Sequence, residues 1–266
     1  ARLWRLTAPS RLGFLVVAAE ATILVALVAL VGRWDMAGYY LRPILLLVFV
    51  AALVASFRRH ASRPWQSADD VWRRYWSSSL GLVLFGAGLV FVVYGLMPSP
   101  GARALAFPLV HQRGFIAQGG GIRLLNHHAR HPEQRHALDI TALSRAGYRA
   151  KGLLPDQLAA YEIWNATVVS PCDGVVAATK ADLPDVASDQ DHPEGNHVVV
   201  DCGTFRVVLA HLQQGSVAVK SGARITAGTP VGHVGNSGNS TEPHLHIHAY
   251  DEHTGAGLPI VFDGRT

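Results

Sequence analysis

This chain contains little charge. Only 16% of its 266 residues are charged, whereas 49% are hydrophobic, a balance that is apolar for a soluble enzyme. The net charge is +4, but much of the excess is arginine in the first seventy-five residues. The polar half contains no dense run of Lys or Arg and no basic stripe interleaved with aromatic residues. The composition therefore gives no reason to expect a nucleic-acid partner.

Cysteine is equally scarce, with only Cys172 and Cys202 in the whole chain. A thiolate zinc site would normally need further Cys or His at short spacing, so nothing indicates such a site. Each cysteine flanks a predicted strand. An oxidising compartment would permit a disulfide between them if those strands are neighbours, and two buried free thiols are the alternative.

Long apolar runs are concentrated in the first hundred residues. Residues 13–32 contain one charge, Glu20, and are long enough to cross a bilayer core of roughly 30 Å. Residues 43–57 reach that length only by extending back across Arg42, whose long side chain can snorkel towards the interface. Residues 77–97 are uncharged. We therefore predict three transmembrane helices, and a cleaved signal peptide or a buried core helix is the alternative for the first and for the third.

The arginines orient this array, because cytoplasmic loops near membrane spans are enriched in Lys and Arg. The link between the first two spans carries only Arg33 and Arg42, partly offset by Asp35. The segment before the first span contains more arginine: Arg2, Arg5 and Arg11. So does the loop between the second and third spans, with Arg58, Arg59, Arg63, Arg73 and Arg74. Both arginine-rich segments lie on the same side of a three-span array. Everything after Met97 is therefore predicted to be extracytoplasmic.

The pattern beyond residue 165 is one of short β-type runs separated by Gly, Pro, Asp and Asn. We predict strands at residues 168–169, 174–179, 197–201, 205–209, 216–219, 224–225, 231–234 and 244–250. Between the predicted strands, residues 180–195 are a predicted loop. Upstream of residue 165, residues 113–118 have strand character and part of 155–164 is a predicted helix. Such a series is typical of a mainly antiparallel all-β domain.

These patterns divide the chain into three parts. Residues 1–100 are the predicted membrane region with three transmembrane helices. Residues 101–165 are a linker together with the N-terminal part of the exported domain, and residues 166–266 form the β domain. The predicted fold class is thus an N-terminal helical transmembrane region followed by a mainly antiparallel all-β domain.

The most informative motif is a histidine pair in the last predicted strand. Side chains at i and i+2 of a strand share a face, so His244 and His246 lie about 7 Å apart along it. This is the geometry of one zinc ligand beside one proton-transfer group. His248 shares the same face, and periodicity alone does not choose among the three.

Other residues that suit a metal site lie far from this pair. Asp139 stands in the apolar stretch 137–143, and a buried carboxylate is costly unless it is paired or bound to a cation. A turn or cap aspartate is the alternative. Upstream, His127 and His128 follow Asn126 and could bring an imidazole to the same cation. His211 lies where a predicted strand meets a loop.

Together these motifs resemble the lysostaphin-like (LytM-type) zinc metallopeptidases. The resemblance covers residues 166–250, extends more weakly back to residue 115, and rests on SPCDGVV, GNHVVV, LAHLQQGSVAV and SGARITAGTPVGHVGNSGNSTEPHLHIH. It implies a zinc ion held by a histidine, an aspartate and the second histidine of the HxH pair. By position, Asp139 and His246 match two of these ligands. His211 and His244 match the histidines that act on the zinc-activated water and on the developing oxyanion.

The first ligand departs from the family pattern. The family places a histidine four residues before the aspartate, where this chain has Arg135, which cannot lose its proton to bind zinc. Some related sequences instead carry an upstream Asn-x-His element, and on that pattern His128 is the ligand. His127 and His136 are competitors, although an offset of three residues places His136 on the opposite face of an extended strand from Asp139.

The resemblance and the predicted topology together imply a function. We expect a multi-pass protein of the bacterial inner membrane whose periplasmic domain is a zinc metallo-endopeptidase that hydrolyses peptide bonds of cell-wall peptidoglycan. Its expected partners are the peptidoglycan peptide and the lipid bilayer. The alternative is a catalytically degenerate LytM-like domain that binds the wall or activates a separate murein hydrolase.

Overall fold

The computed structural model describes residues 4–66, 71–97, 99–186 and 188–263, apart from the side chains of residues 71–74. Of the arginines used to predict the topology, Arg2 and the side chains of Arg73 and Arg74 lie outside this part. The chain forms two compact units. Unit 1 comprises Ala1–Trp34 and Gly38–Gly95, and unit 2 comprises Asp35–Ala37 and Leu96–Thr266.

Long apolar helices make up unit 1. The helices of the chain are α1 (Arg11–Val31), the short α2 (Trp34–Ala37), α3 (Leu41–His60) and α4 (Val71–Leu96). By length and composition, three segments are apolar enough to cross a membrane: Arg11–Val31, Leu41–His60 and Tyr75–Leu96. Many large apolar side chains on these helices are exposed, as lipid-facing residues would be, including Leu47, Val83, Val90 and Tyr94. The three predicted apolar helices are confirmed.

Unit 2 is built from short strands. They are β1 (Arg103–Leu105), β2 (Gly114–Gln118), β3 (Leu138–Ala142), β4 (Thr167–Val169), β5 (Gly174–Lys180), β6 (Asn196–Asp201), β7 (Arg206–Leu212), β8 (Arg224–Ile225), β9 (Pro230–His233), β10 (Leu245–Tyr250), β11 (Gly257–Leu258) and β12 (Ile260–Phe262). The main sheet is antiparallel, in the order β2-β3-β10-β7-β6-β5-β8, with β11 beside β10. A β4–β9 antiparallel pair and a β1–β12 parallel pair complete the unit. The predicted mainly antiparallel β class is confirmed.

Alternation along β10 separates the core from the histidine face. Leu245, Ile247 and Ala249 are buried in the main hydrophobic core, and His246 and His248 point to the other side of the strand. The burial of one face fixes the register, because a slip by one residue would exchange the two sets of side chains.

Two local predictions differ from the structure. The helix predicted within residues 155–164 is only a 3-10 turn, Leu158–Ala160. The amide of Glu162 instead donates to the carbonyl of Arg149, and Lys151 donates to Ala160, so this backbone pairs with residues 149–151. The predicted strand at 216–219 lies beside β9 outside any strand, with one backbone hydrogen bond to it, from Ala218 to Val231, and side-chain hydrogen bonds between Ser216 and His233.

The two cysteines form a disulfide. Cys172 precedes β5 and Cys202 follows β6, and the pairing of Val175 with Asp201 brings these strand ends together. The bond closes a loop with a sequence separation of 30 residues. Of the two alternatives left by the sequence, the structure therefore has the disulfide.

Candidate metal centre

Strand register joins residues that are far apart in the chain. In the β3–β10 pair, His246 stands directly opposite Asp139. Side chains of directly opposed residues share a face, with Cβ atoms about 5 Å apart. Accordingly, Nδ1 of His246 lies 3.0 Å from Oδ1 of Asp139. On the other side of β10, His246 stands opposite Ala210, so that the next residue of β7, His211, comes close to the same point.

The carboxylate of Asp139 is buried among imidazoles. Nε2 of His128 lies 3.0 Å and 3.1 Å from its two oxygens, and Nε2 of His244 lies 3.6 Å from Oδ1. No Lys or Arg of the described residues forms an ion pair with it. Burial alone would raise the pKa of Asp139, but His244, His128 and His246 outweigh that effect and hold it well below its usual range. An ionised, buried carboxylate with no Lys or Arg partner suits a cation site.

Asn126 explains how His128 reaches this point. Its Oδ1 accepts a hydrogen bond from the amide of His128 at 3.1 Å and so caps the 3-10 turn His127–Arg130. Its Nδ2 donates to the carbonyls of Gly120, Arg135 and Ala137. One buried side chain thus ties the histidine turn to the segment that leads into β3. The Asn-x-His element therefore has a structural reason to precede Asp139.

The three candidates for the first ligand lie in different surroundings. His128 is buried against Asp139, whereas the His127 side chain is 64% exposed, with Nδ1 4.0 Å from Oδ2. Ligand atoms of His127, His128 and Asp139 all lie within 4.8 Å of one another, so His127 remains within reach of a shared ion. His136 is half-buried, and no hydrogen bond or ion pair joins it to Asp139 in the described part of the chain. The distances favour His128 over both competitors.

His211 and His244 lie beside this cluster. Their ring centroids are 4.7 Å apart, and that of His211 lies 5.7 Å from His246. His211 has a φ of 60°, in the left-handed region, although it belongs to β7. Such a conformation costs on the order of 1–3 kcal/mol and persists only where surrounding contacts hold it. Here the His211 amide donates to the carbonyl of Glu194, and its own carbonyl accepts from Gly235.

Hydrogen bonds define the tautomers of these two histidines. Nδ1 of His211 lies 2.9 Å from the carbonyl oxygen of Ser237, and Nδ1 of His244 lies 2.8 Å from that of Glu242. A carbonyl only accepts, so each Nδ1 carries the proton and each neutral ring keeps a lone pair on Nε2. Burial and then His244 hold the pKa of His211 well below its usual range, which keeps that ring neutral. Nε2 of each ring can therefore accept a hydrogen bond.

A buried arginine supports the loop before His244. Nη2 of Arg149 lies 2.8 Å from Oε2 of Glu242, and Nε lies 3.4 Å from Oδ2 of Asp35. Arg149 also donates to the carbonyl of Leu153 and lies over the ring of Tyr161. Arg149 lies in a polar loop, and no sequence pattern around it indicated this role.

An open cleft of about 240 Å³ gives access to the cluster. Pro193 and Glu194, at the end of the predicted loop 180–195, form part of its rim. The full lining is His127, His128, His131, Gln134, Pro193, Glu194, His211, Asn239 and His246. A peptide approaching along this cleft would meet both the Asp139 cluster and His211.

The donor set fits a zinc ion. His128, Asp139 and His246 offer two imidazole nitrogens and one carboxylate oxygen, ligand types that zinc prefers. Each nitrogen lies 3.0 Å from Oδ1 of Asp139, near the separation of about 3.3 Å between two ligands of one tetrahedral zinc. The buried, neutral state of His246 also suits ligation, since burial lowers its pKa to about 3. The fold and the cluster together suit one class of protein, a metal-dependent hydrolase.

Comparison with known families agrees with this class. Residues 158–256 match the model of peptidase family M23. Residues 158–256 are therefore similar to peptidase family M23, and the predicted resemblance to lysostaphin-like peptidases is confirmed. The matched region contains His211, His244 and His246 but begins after His128 and Asp139, whose positions rest on the geometry of the sheet.

Solved structures with low similarity include three informative cases. A zinc-containing peptidase from Vibrio cholerae is 18% identical, over 59% of this chain and 39% of that one, with a TM-score of 0.33. The catalytic domain of lysostaphin from Staphylococcus simulans is 17% identical, over 56% and 88%, with a TM-score of 0.34. A complex of SpoIIIAH and SpoIIQ contains a chain that is 13% identical, over 58% and 96%, with a TM-score of 0.40. This chain spans less than half of the Vibrio peptidase. Among curated proteins, no sequence matches.

Proposed function

We propose that this chain is a membrane-anchored zinc endopeptidase that hydrolyses peptide bonds of bacterial peptidoglycan. One observation carries the proposal: the buried carboxylate of Asp139 has imidazole nitrogens of His128 and His246 at 3.0 Å and, in the described part, no Lys or Arg partner. The family M23 match supports the peptidase class. The motifs shared with lysostaphin-like peptidases support peptidoglycan as the substrate class.

The proposed zinc ligands are Nε2 of His128, a carboxylate oxygen of Asp139 and Nδ1 of His246. Three protein ligands leave a coordination position open for chemistry, as in other catalytic zinc sites. When bound, the zinc supplies Lewis acidity that activates water and polarises the scissile carbonyl. His127 is the alternative first ligand, and its exposure argues against it.

His211 and His244 are proposed to handle protons. Because Nδ1 of each is committed to a backbone carbonyl, Nε2 of each begins as an acceptor. One of them takes the proton of the attacking water, and its Nε2–H then donates to the developing oxyanion or to the leaving amine. Proton acceptance is thus the first role of either histidine, and stabilisation of the oxyanion follows from it.

The apolar helices are proposed to anchor the enzyme in the inner membrane with unit 2 in the periplasm. The arginine distribution supports this orientation. Asp35, from the link between α1 and α3, belongs to unit 2 and forms an ion pair with Arg149 there. This agrees with the assignment of that link to the periplasmic side.

Hydrolysis of isolated peptidoglycan tests the proposal directly. The full chain, purified in detergent and loaded with zinc, should release peptide-linked fragments that mass spectrometry identifies. His244→Ala and His211→Ala should each lower the rate by about 10²–10⁴-fold, the usual contribution of a general acid or base. His253→Ala, which removes an exposed histidine that does not line the cleft, is the matched control and should keep the wild-type rate.

The outcomes separate the alternatives. Zinc-loaded wild-type protein that binds peptidoglycan without cutting it would refute the enzyme and favour the degenerate, wall-binding domain. Parallel variants His128→Ala, His127→Ala and His136→Ala identify the first ligand. We expect only His128→Ala to lose both zinc and activity.

A further inference from the structure

His248 is the histidine of the β10 face that the proposed chemistry does not use. Its side chain is fully buried, and its Nδ1 lies 2.9 Å from Nε2 of His246. A buried imidazole so close to a second one requires one ring to donate and the other to accept. The pair therefore has only two neutral arrangements of its protons.

The first arrangement suits metal binding. His246 carries its proton on Nε2 and donates it to Nδ1 of His248, so that Nδ1 of His246 has a free lone pair towards Asp139 and His128. His248 then carries its own proton on Nε2. In the second arrangement His248 donates from Nδ1, and Nδ1 of His246 is protonated and cannot bind a metal.

Without a metal, Oδ1 of Asp139 at 3.0 Å from Nδ1 of His246 favours a proton there, which is the second arrangement. Glu133 favours the first arrangement, the one that a metal on Nδ1 of His246 requires. Its Oε1 lies 3.8 Å from Nε2 of His248, an ion-pair distance from which a half-exposed side chain can close to a hydrogen bond. Nε2 of His248 is buried and has no hydrogen-bond partner among the described residues. A carboxylate facing this atom favours a proton on it and disfavours a lone pair. The interaction with His248 also lowers the pKa of Glu133, which keeps the carboxylate ionised.

Backbone contacts hold Glu133 in this place. The carbonyl of Pro132 accepts a hydrogen bond from Gly257 of β11, the strand that pairs with β10. A Cβ at Gly257 would collide with the carbonyl of Glu133, so glycine permits the close approach. The loop that carries Glu133 is thereby attached to the strand system that carries His246 and His248.

From these contacts we infer that His248 and Glu133 are positioning residues that hold His246 in the tautomer and orientation required of a metal ligand. The inference rests on the proposed zinc site. Outer groups that accept a hydrogen bond from the N–H of a ligating histidine raise its basicity, and their loss typically weakens metal binding by about 10–100-fold. The relay here runs from His246 through a second imidazole to a carboxylate at the surface.

Zinc affinity measured by competition with a chromophoric chelator tests the inference without reference to catalysis. The full chain in detergent suits this assay, because both cysteines are in the disulfide and do not compete for the metal. His248→Leu should weaken zinc binding by about 10–100-fold. His248→Asn should restore most of the affinity, because the Asn Oδ1 stands near the position of Nδ1 and accepts from His246.

Glu133→Ala provides a second variant that leaves the core intact, since this side chain is 50% exposed. It should weaken zinc binding by about tenfold, the lower end of the effect expected for an outer group. Glu252→Ala, which removes a surface carboxylate paired with Arg206, is the matched control and should keep wild-type affinity. Thermal unfolding of the metal-free variants, measured in parallel, separates loss of packing from loss of metal binding.

Each outcome has a distinct meaning. Wild-type protein that binds no zinc would refute the proposed function, whatever the variants do. If the wild type binds zinc and both His248→Leu and Glu133→Ala bind it equally tightly, the positioning role is wrong and the zinc site stands. If His248→Asn is as weak as His248→Leu at equal thermal stability, the hydrogen bond to His246 is not the cause.

Discussion

The metal-free site should make unit 2 sensitive to mild acid. Burial lowers the pKa of His246 from 6.5 to about 3, and burial together with His244 lowers that of His211 well below its usual range. Both rings are therefore neutral in the folded state, whereas in the unfolded chain they take up protons near pH 6.5. Since the unfolded state binds more protons, the stability contributed by these histidines is complete above about pH 6.5 and is lost as the pH falls towards the folded pKa.

The size of the effect follows from these values. Between pH 7 and pH 5, one histidine with a folded pKa of about 3 loses roughly 2 kcal/mol of unfolding free energy, at up to about 1.4 kcal/mol per pH unit. His211, whose pKa is also strongly lowered, can lose as much again, so the largest loss of unfolding free energy expected from the two histidines is roughly 4 kcal/mol. Asp139, whose pKa is also lowered, adds a further loss only below its unfolded value near 4. All three lowered pKa values make the folded state less stable as the pH falls.

Hydrogen exchange followed by mass spectrometry measures this loss in unit 2 alone, because peptides from β7 and β10 are resolved from the helices. The measured rates are first corrected for the intrinsic exchange rate at each pH. In metal-free protein, the equilibrium constant for opening of these strands should then rise by about 30-fold or more from pH 7 to pH 5. That change corresponds to the loss of about 2 kcal/mol expected from one histidine. His246→Asn should reduce the dependence, and the exposed-site variant His253→Gln should leave it unchanged. A stability that stays flat between pH 7 and pH 5 would refute the buried, neutral state of these rings.

Three further perturbations have defined outcomes. Arg149→Met should destabilise unit 2 by about 3–5 kcal/mol in hydrogen exchange, because it strips two carboxylates of their buried partner; an unchanged value would contradict the structural role of the ion pairs. Gly195→Ala should lower the rate of the proposed peptidoglycan hydrolysis, since at its φ of 61° a Cβ would collide with the carbonyl of Ser237, which accepts from His211. Gly203→Ala, with a φ of 94° and open space around the Cβ, is the control that carries backbone strain alone. Reducing the disulfide, which closes a loop of 30 residues, should cost about 3–4 kcal/mol of stability, and a change below the error of the exchange measurement would contradict this.

Local patterns in the sequence were sufficient for the helices and for the histidine strand. Apolar runs of spanning length depend only on neighbouring residues, and the period of two in residues 244–250 predicted a histidine face opposite Leu245 and Ile247. Likewise, an aspartate in an apolar stretch is unusual enough to indicate Asp139. Each of these features can be read within about a dozen residues.

Long-range contacts determined what local patterns could not. The contact between Asp139 and His246 spans 107 residues and depends on the register of β3 against β10. The proposed first ligand, His128, was harder still to predict. Its position depends on one side chain, Asn126, which donates to three backbone carbonyls. The helix predicted within residues 155–164 is only a 3-10 turn, because pairing with residues 149–151 takes the amide of Glu162 and the carbonyl of Ala160.

A zinc assay on two proteins tests the central claim most directly. The full chain is purified without chelator, dialysed against a low concentration of zinc, and analysed for metal per chain beside Asp139→Asn, which has the same shape and no charge. The account predicts close to one zinc per wild-type chain and close to none in Asp139→Asn. The reason is that the Asp139 carboxylate is the group around which the nitrogens of His128, His246 and His244 are arranged. A metal-free wild type, or equal zinc in both proteins, would contradict it.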